Sequence, residues 1–305
     1  MTDSLDLTVI ILTYNEELHI ERCINSLLPF AKQIFIVDSF STDNTVAIAE
    51  RLGANVLQNP FVNQAIQFQW GLDHCPIETE WVMRMDADEY IEQPLIDEIL
   101  QKLPSLESTI TGVCLKRKHH FLGRWIKRGD RYPLILLRIW RTGTAHIEQR
   151  WMDEHIVLNS GKSVVFSGDF VDDNLNTVAW FIDKHNKYAS REMIEIINQR
   201  YQLFKEDESI EHSDTFQAKI KRFVKEKIYN QLPIFVRATL YFIYRYFLRL
   251  GFLDGKEGFA YHFMQGFWYR CLVDLKVLEA ERLLQDIESK EGKIQALCTL
   301  TGLRL

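Results

Sequence analysis

The sequence predicts an α/β fold on a mainly parallel, doubly wound sheet, followed by a helical C-terminal region. Residues 7–12 (LTVIIL) form an unbroken run of β-formers, which suits a strand buried on both faces. Similar runs alternate with amphipathic stretches at βαβ spacing as far as Asp86. Beyond about residue 205 the composition turns lysine-rich and then aromatic-rich. The chain therefore divides into an α/β domain, 1–205, and a helical extension, 206–305.

The first strand ends at Thr13-Tyr14-Asn15. A helix follows, with Asn15 as N-cap and Glu16 and Glu17 in its first turn, where carboxylates suit the helix dipole. Ile20, Cys23, Ile24, Leu27 and Leu28 are its apolar stripe, and Pro29 stops it. Residues 34–37 form the second strand, which ends at Asp38, and a polar turn leads into a helix over 43–52 closed by Gly53. Residues 56–57 are a short third strand, 62–72 a helix, and 81–86 the fourth strand. Pro94 opens a helix to about 103; 112–116, 134–140 and 164–170 read as strands, and 178–201 as a long helix.

Composition removes several function classes. The 305 residues are 47% hydrophobic and 26% charged, a globular balance. The net charge of −6 argues against nucleic acid as a partner. Cys23, Cys75, Cys114, Cys271 and Cys298 are odd in number and show no CxxC spacing, which speaks against a disulfide framework or a zinc site. The N-terminal MTDSLDLTVIIL has no basic n-region, so no signal peptide is expected, and no uncharged apolar run is long enough to span a membrane.

The chemistry concentrates at strand ends. A parallel sheet brings Thr13-Tyr14-Asn15, Asp38 and Asp86/Asp88 to one edge, where ligands bind in open α/β sheets. Alternation in an extended segment points Asp86 and Asp88 to the same side. Crowded carboxylates repel one another unless a cation lies between them, and a divalent ion bridging them to a phosphate is the natural candidate. No GxGxxG follows the first strand and no GxxxxGK[ST] occurs, so no glycine loop cradles the phosphates of a nucleotide.

The strings LTYNEE, IFIVDSFSTDNT and WVMRMDADEYIE, in this order over about the first 95 residues, resemble the family 2 glycosyltransferases of GT-A fold. Within that family they are most similar to bacterial enzymes of the lipopolysaccharide-core β-glucosyltransferase type. The resemblance implies a mixed, mainly parallel sheet, a nucleotide-sugar donor, a Mn²⁺ or Mg²⁺ cofactor and transfer with inversion. Carried over by position, Thr13, Tyr14 and Glu16 line the base and ribose pocket, and Asp38 hydrogen-bonds the base. Asp86 and Asp88 match the DxD pair, with Asp88 the direct metal ligand and Asp86 nearer the ribose. Gln67 falls near the donor, although Gln67-Phe68-Gln69 departs from the usual Gln-Arg-Asn.

An inverting transfer needs one general base for the acceptor hydroxyl. Trp151-Met152-Asp153-Glu154-His155 lies where the family places an acidic residue of an ED or HE pair, so Glu154 takes the role of base with Asp153 as the alternative. His155 is read as a further metal ligand, against the plainer role of a structural hydrogen-bonder. Arg138 and Arg141 follow an RLFRR-like segment of the family. The basic loop around Trp125 and Arg128, with Lys184 and His185 on the long helix, offers cations and an aromatic face to an acceptor; the bland reading of each is a solvated basic surface.

The C-terminal third suggests a membrane surface. Lys219, Lys221, Arg222, Lys225 and Lys227 precede IFVRATLYFIYRYFLRLGF, in which Arg237, Arg245 and Arg249 share one stripe. Three arginines make a spanning helix costly. An interfacial helix, arginines toward anionic headgroups and aromatic residues toward the acyl chains, fits better; the bland alternative is a buried helix. This stretch also resembles the C-terminal extension of membrane-associated family members that act on lipid-linked glycans. The expected setting is the cytoplasmic side of the cell membrane, with a glycan or lipid-linked acceptor; aromatic-rich faces such as 259–269 also suit a homodimer. Two rival readings are a sugar nucleotidyltransferase, which would want a basic glycine-rich loop where TYNEE stands, and a non-catalytic membrane-bound scaffold, which would need neither carboxylate site.

Overall fold

The computed structural model describes residues 4–148, 155–204 and 233–303. They form two units, Met1–Asn176 and Thr177–Leu305. The first is built on β1 (Leu5–Thr13), β2 (Ala31–Asp38), β3 (Asn55–Gln58) and β4 (Trp81–Asp86), which pair in parallel in the order β3-β2-β1-β4. The sheet continues through β8 (Leu134–Arg141), β6 (Ile110–Phe121), β11 (Lys162–Asp173) and β5 (Glu89–Ile91), with β7 (Arg124–Trp125) on β6. β8 is antiparallel to both neighbours and β5 is antiparallel to β11, while β6 and β11 run parallel. A separate short pair, β9 (Ala145–Ile147) and β10 (Ile156–Leu158), was not legible in the sequence.

Alternation along β1 explains the two layers of core. Leu7, Val9 and Ile11 join Ile20, Cys23, Ile24 and Leu27 of α1 (Ile20–Leu27) and Leu95 and Ile99 of α4 (Gln93–Lys102). Ile10 faces the other way, with Phe35, Val37 and the Ala65 and Phe68 side chains of α3 (Gln64–His74). Both faces of the parallel strands are covered, and these side chains are fully or almost fully buried. α2 (Thr45–Arg51) and the other expected elements lie within a few residues of their predicted places.

Two local expectations are corrected. Asn15 is not the N-cap of α1. It sits at φ 55°, and its Oδ1 accepts the N–H of Thr42 at 2.8 Å. The N–H groups of Asn15, Glu16 and Glu17 bond to Ser41, Thr45 and Asp43, so the facing loop competes successfully for them and α1 starts only at Ile20. The extended segment also does not run through Asp88: β4 ends at Asp86, and residues 87–88 form a turn into β5.

β11 carries a bulge between Val165 and Asp169. Glu98 of α4 receives the N–H groups that leave the ladder there, Ser167 N and Gly168 N, each at 2.8 Å. α4 passes so close that a Cβ on Gly168 would lie 2.6 Å from the Leu95 Cα. Burial alone would raise the Glu98 pKa, but Lys102 and these N–H groups outweigh it and pull the value down to about 2. A carboxylate depressed from 4.5 stabilises the fold fully above its unfolded value and loses that contribution as pH falls from 4.5 toward 2. Denaturation midpoints should therefore decline over that window by up to about 3 kcal/mol of stability. The Glu98→Gln variant should show a correspondingly flatter profile; an unchanged profile would remove Glu98 as the cause.

The unit boundary falls at 176/177 rather than at 205/206. α5 (Val178–Tyr201) buries Ala189, Met193, Ile194 and Ile197 against Tyr269, Val273, Val277, Ala280 and Leu284 of the helix Tyr269–Leu284. It is thus part of the helical unit, a pairing that its periodicity could not assign to a partner. No helix among the described residues is long and apolar enough to cross a membrane.

The arginine stripe is also corrected. The expected single helix divides into Val236–Ile243, a π-helical turn Tyr244–Leu248 and a short 3₁₀ turn Gly251–Asp254. Arg237 and Arg245 point inward and are almost fully buried. Arg237 pairs with Asp274, while Arg245 lies over the rings of Tyr241 and Tyr261. Val236, Leu240, Ile243, Phe247 and Leu248 are exposed instead, as are Leu250, Phe252, Leu253 and Phe259. Among nearby charges, Arg249 and Lys256 are exposed, whereas Asp254 and Asp274 are buried.

Candidate active site

Strand register delivers the first group of residues. Thr13 is level with Asp38 across β1 and β2, and Thr13 Oγ1 donates to Asp38 Oδ1 at 2.9 Å. Asp38 is fully buried and also accepts from Ser41 N (2.9 Å), Ser41 Oγ and Gln58 Nε2 (3.1 Å). Its carboxylate therefore shapes the loop at the strand edge. Gln67 is likewise fully buried: its Nε2 donates to Ser39 Oγ and the Asn59 carbonyl, and its Oε1 accepts from Asn59. It fixes that loop from below, which corrects the expectation of a contact facing the donor. Tyr14, by contrast, is 60% exposed at the end of β1, so it is no core aromatic.

Glu16 reaches the same edge. His19, 1% exposed, accepts the Leu175 N–H on Nε2 at 2.9 Å, so its proton sits on Nδ1 and is given to Glu16 Oε2 at 2.7 Å. The loop after β1 is thereby tied to the chain leaving β11.

The β4–β5 turn supplies the carboxylates. Asp86 Oδ1 lies 3.4 Å from Arg84 Nε and Oδ2 lies 3.6 Å from Arg138 Nη2. Burial would raise the Asp86 pKa, but Arg84, Arg138 and Arg117 hold it below the usual carboxylate value. Glu89, 1% exposed, accepts from Arg138 Nη2 at 2.6 Å and from the Asp86 N–H at 2.9 Å. Its burial pushes its carboxyl up to about 8 against the pull of Arg138, and Asp86 and Asp172 add to the rise. Asp172, level with Glu89 across β5 and β11, lies 3.1 Å from His119 Nδ1 and 3.4 Å from Arg117 Nη1. Burial would raise it too, yet the His119 hydrogen bond and the Arg117 guanidinium keep it far below the ordinary carboxylate range.

Asp88 sits differently. Its Oδ2 accepts from Asn174 Nδ2 at 2.9 Å, and its carbonyl accepts from Asp173 N and from Arg22 Nη2. An arginine-flanked Asp86 beside an amide-oriented Asp88 gives the pair unlike characters. The carboxylate oxygens are hard donors suited to Mg²⁺ or Mn²⁺. Among the described residues no group of three or more His, Cys, Asp and Glu could hold an ion.

The remaining expected site residues are scattered. Asp153 and Glu154 lie outside the described residues. His155 is exposed and 3.4 Å from Glu148 Oε2. Trp125 packs edge-on to Tyr132, with the ammonium groups of Lys118 and Lys127 each 5.0 Å from its ring centre. Arg128 is half-buried in the loop after β7. Lys184 and His185 belong to the helical unit. There Lys184 lies over Trp180, and His185 stacks on Phe181 and bonds its carbonyl, so both serve helix packing.

Sequence reasoning missed Arg22, Glu89, Asp172 and Asn174. The signal was present: Asp172-Asp173-Asn174 is a polar run closing an apolar strand, as are the other three strand ends.

A family model for glycosyl transferase family 2 matches residues 8–175. An uncharacterized glycosyltransferase of Rickettsia bellii is 41% identical over 93 residues, 30% of this chain and 31% of that protein. The lipopolysaccharide core biosynthesis glycosyltransferase LpsC of Rhizobium meliloti is 32% identical over 128 residues, 40% of this chain and 46% of LpsC. This chain thus aligns with less than half the length of either relative. Among solved structures, glucosyl-3-phosphoglycerate synthase of Mycobacterium tuberculosis, in complex with Mn²⁺, UDP and glucosyl-3-phosphoglycerate, is 24% identical with a TM-score of 0.31, covering 37% of this chain and 44% of that one. The family match runs from the first strand past the DxD turn to the end of β11, and the chain belongs to glycosyl transferase family 2, with a GT-A-type α/β domain.

Proposed function

We propose that this protein is a metal-dependent, inverting glycosyltransferase that moves a hexose from a UDP-sugar onto a glycan or lipid-linked glycan of bacterial surface polysaccharide or lipopolysaccharide. The observation that carries the reading is the Asp86/Asp88 turn, set at the same sheet edge as the exposed Tyr14 and the loop organised by Asp38. Tyr14 and the Thr13–Asp38 pair would hold the nucleoside, with Glu16 bracing the loop. Asp88 and Asp86 would hold Mn²⁺ or Mg²⁺. That cation, when bound, neutralises charge on the leaving diphosphate. Arg84 and Arg138 hold Asp86 ionised for its contact with the donor. Glu154, or Asp153, takes the proton of the acceptor hydroxyl; Trp125 and Arg128 are the acceptor contacts on the same unit. Donor hydrolysis screened over UDP-hexoses, their N-acetyl forms and GDP-mannose, with Mn²⁺ and then with chelator, tests this. Hydrolysis of one donor that chelator stops supports it. No hydrolysis together with no metal-dependent UDP binding would replace it with the scaffold reading.

The protein would work at the cytoplasmic face of the cell membrane. The support is the set of exposed apolar side chains from Val236 to Phe259, with exposed Arg249 and Lys256 among them and Asp254 and Asp274 buried. Flotation with vesicles containing anionic lipid should recover the wild type, and Phe247→Glu/Leu248→Glu should cut binding by about tenfold or more. Equal flotation of the two proteins would exclude this face.

A further inference from the structure

The chain leaving β11 does more than connect the two units. Three successive residues of it, Asp173, Asn174 and Leu175, are each bonded to a different part of the strand-end site. Asp173 N donates to the Asp88 carbonyl at 3.1 Å. Asn174 Nδ2 donates to Asp88 Oδ2 at 2.9 Å, and Asn174 Oδ1 is itself fixed by the Asn176 N–H at 3.0 Å. Leu175 N donates to His19 Nε2, and His19 Nδ1–H donates in turn to Glu16 Oε2. Arg22 of α1 locks the arrangement. Its Nη1 bonds Asp173 Oδ2 at 2.8 Å, its Nη2 bonds the Asp173 and Asp88 carbonyls at 2.6 and 3.3 Å, and its guanidinium lies 4.6 Å over the Tyr90 ring.

We propose that Asn174 is a positioning residue that sets the rotation of the Asp88 carboxylate for a divalent cation, and that Arg22 and Asp173 hold Asn174 in place to do so. This rests on the metal-dependent reading above. The physical reason lies in the side chains. An aspartate at a turn has a nearly free terminal torsion, and a ligand carboxylate needs an outer hydrogen bond to fix it. An amide can donate to a carboxylate without competing for the cation, because its nitrogen has no accepting lone pair. An aspartate at 174 would place a second negative charge against Oδ2 in its stead. Because the same segment also reaches Glu16 through His19, the cation site and the loop after β1 are braced by one stretch of backbone.

The test is calorimetric titration of UDP into the full chain, with and without Mn²⁺, for wild type, Asn174→Ala and Asn174→Asp. Both variants should weaken Mn²⁺-dependent UDP binding by about 10- to 100-fold while leaving metal-free UDP binding and the melting temperature near wild type. Wild-type metal-dependent affinity in Asn174→Ala would overturn the assignment and leave the glycosyltransferase reading intact. Loss of metal-free UDP binding or of the melting transition would make Asn174 a structural residue and also overturn it. A wild-type protein that binds UDP with no dependence on Mn²⁺ would overturn the metal-dependent reading itself.

Discussion

Replacing Asp88 by alanine is expected to lower metal-dependent turnover by about 10²- to 10³-fold, the cost of losing one preorganised electrostatic contact to a developing charge. Asp88 is half-buried at a turn, and its carbonyl contacts to Asp173 and Arg22 survive the substitution, so the fold should hold. Asp86→Asn should behave differently. It removes the charge that faces both Arg84 and Arg138, side chains that are 9% and 5% exposed, and so weakens a buried charge cluster, although Arg138 keeps its bond to Glu89. That variant should lose stability as well as activity, seen as a lower denaturation midpoint. Kinetics and melting curves of the two variants separate the roles: if Asp88→Ala kept wild-type turnover and metal dependence, the DxD assignment would fall.

Asp274→Ala is expected to destabilise the helical unit by about 3–5 kcal/mol, because it breaks a buried ion pair by removing one of its partners. Asp274 Oδ1 accepts from Arg237 Nε at 2.8 Å and from Nη2, while Oδ2 takes the Phe235 N–H at 3.1 Å. One truncation thus removes a buried ion pair and a bond at the start of the helix Val236–Ile243. Replacing both partners by apolar residues, Arg237→Met with Asp274→Leu, should restore most of the loss, since no uncompensated charge remains. Proteolysis or denaturation of the helical unit reads both. A mild Asp274→Ala phenotype would mean that Arg237 finds water or another acceptor.

The α/β unit was legible because its signals are local. β1 and β4 are unbroken apolar runs, and α1 and α4 repeat at helical spacing, so the alternation that builds a parallel sheet could be read directly. Three of the polar strand ends followed from topology, since a parallel sheet places like ends together. The start of α1 was not legible: Asn15 has the chemistry of a cap, but Ser41, Asp43 and Thr45 on a facing loop take the N–H groups around it. Gln67 and Asp38 had the right identities, but their burial and their bonds to Ser39, Asn59, Ser41 and Gln58 became visible only in the fold.

The helical unit shows the limit more sharply. Periodicity put Arg237, Arg245 and Arg249 on one stripe but could not say which way that stripe faces, because a cation on an aromatic helix fits either water or a buried acid. Asp274, 37 residues from Arg237, decided it. The sequence by itself determined the strands of the parallel half, the edge where their polar ends gather and the pair Asp86/Asp88, because each strand shows as a short run of fixed period. Only the tertiary structure decided that Glu89 and Asp172 join that edge, that Arg84 and Arg138 flank Asp86 and that Asn174 hydrogen-bonds Asp88. Those contacts join residues up to 86 positions apart, and no local pattern encodes which side chains burial will bring together.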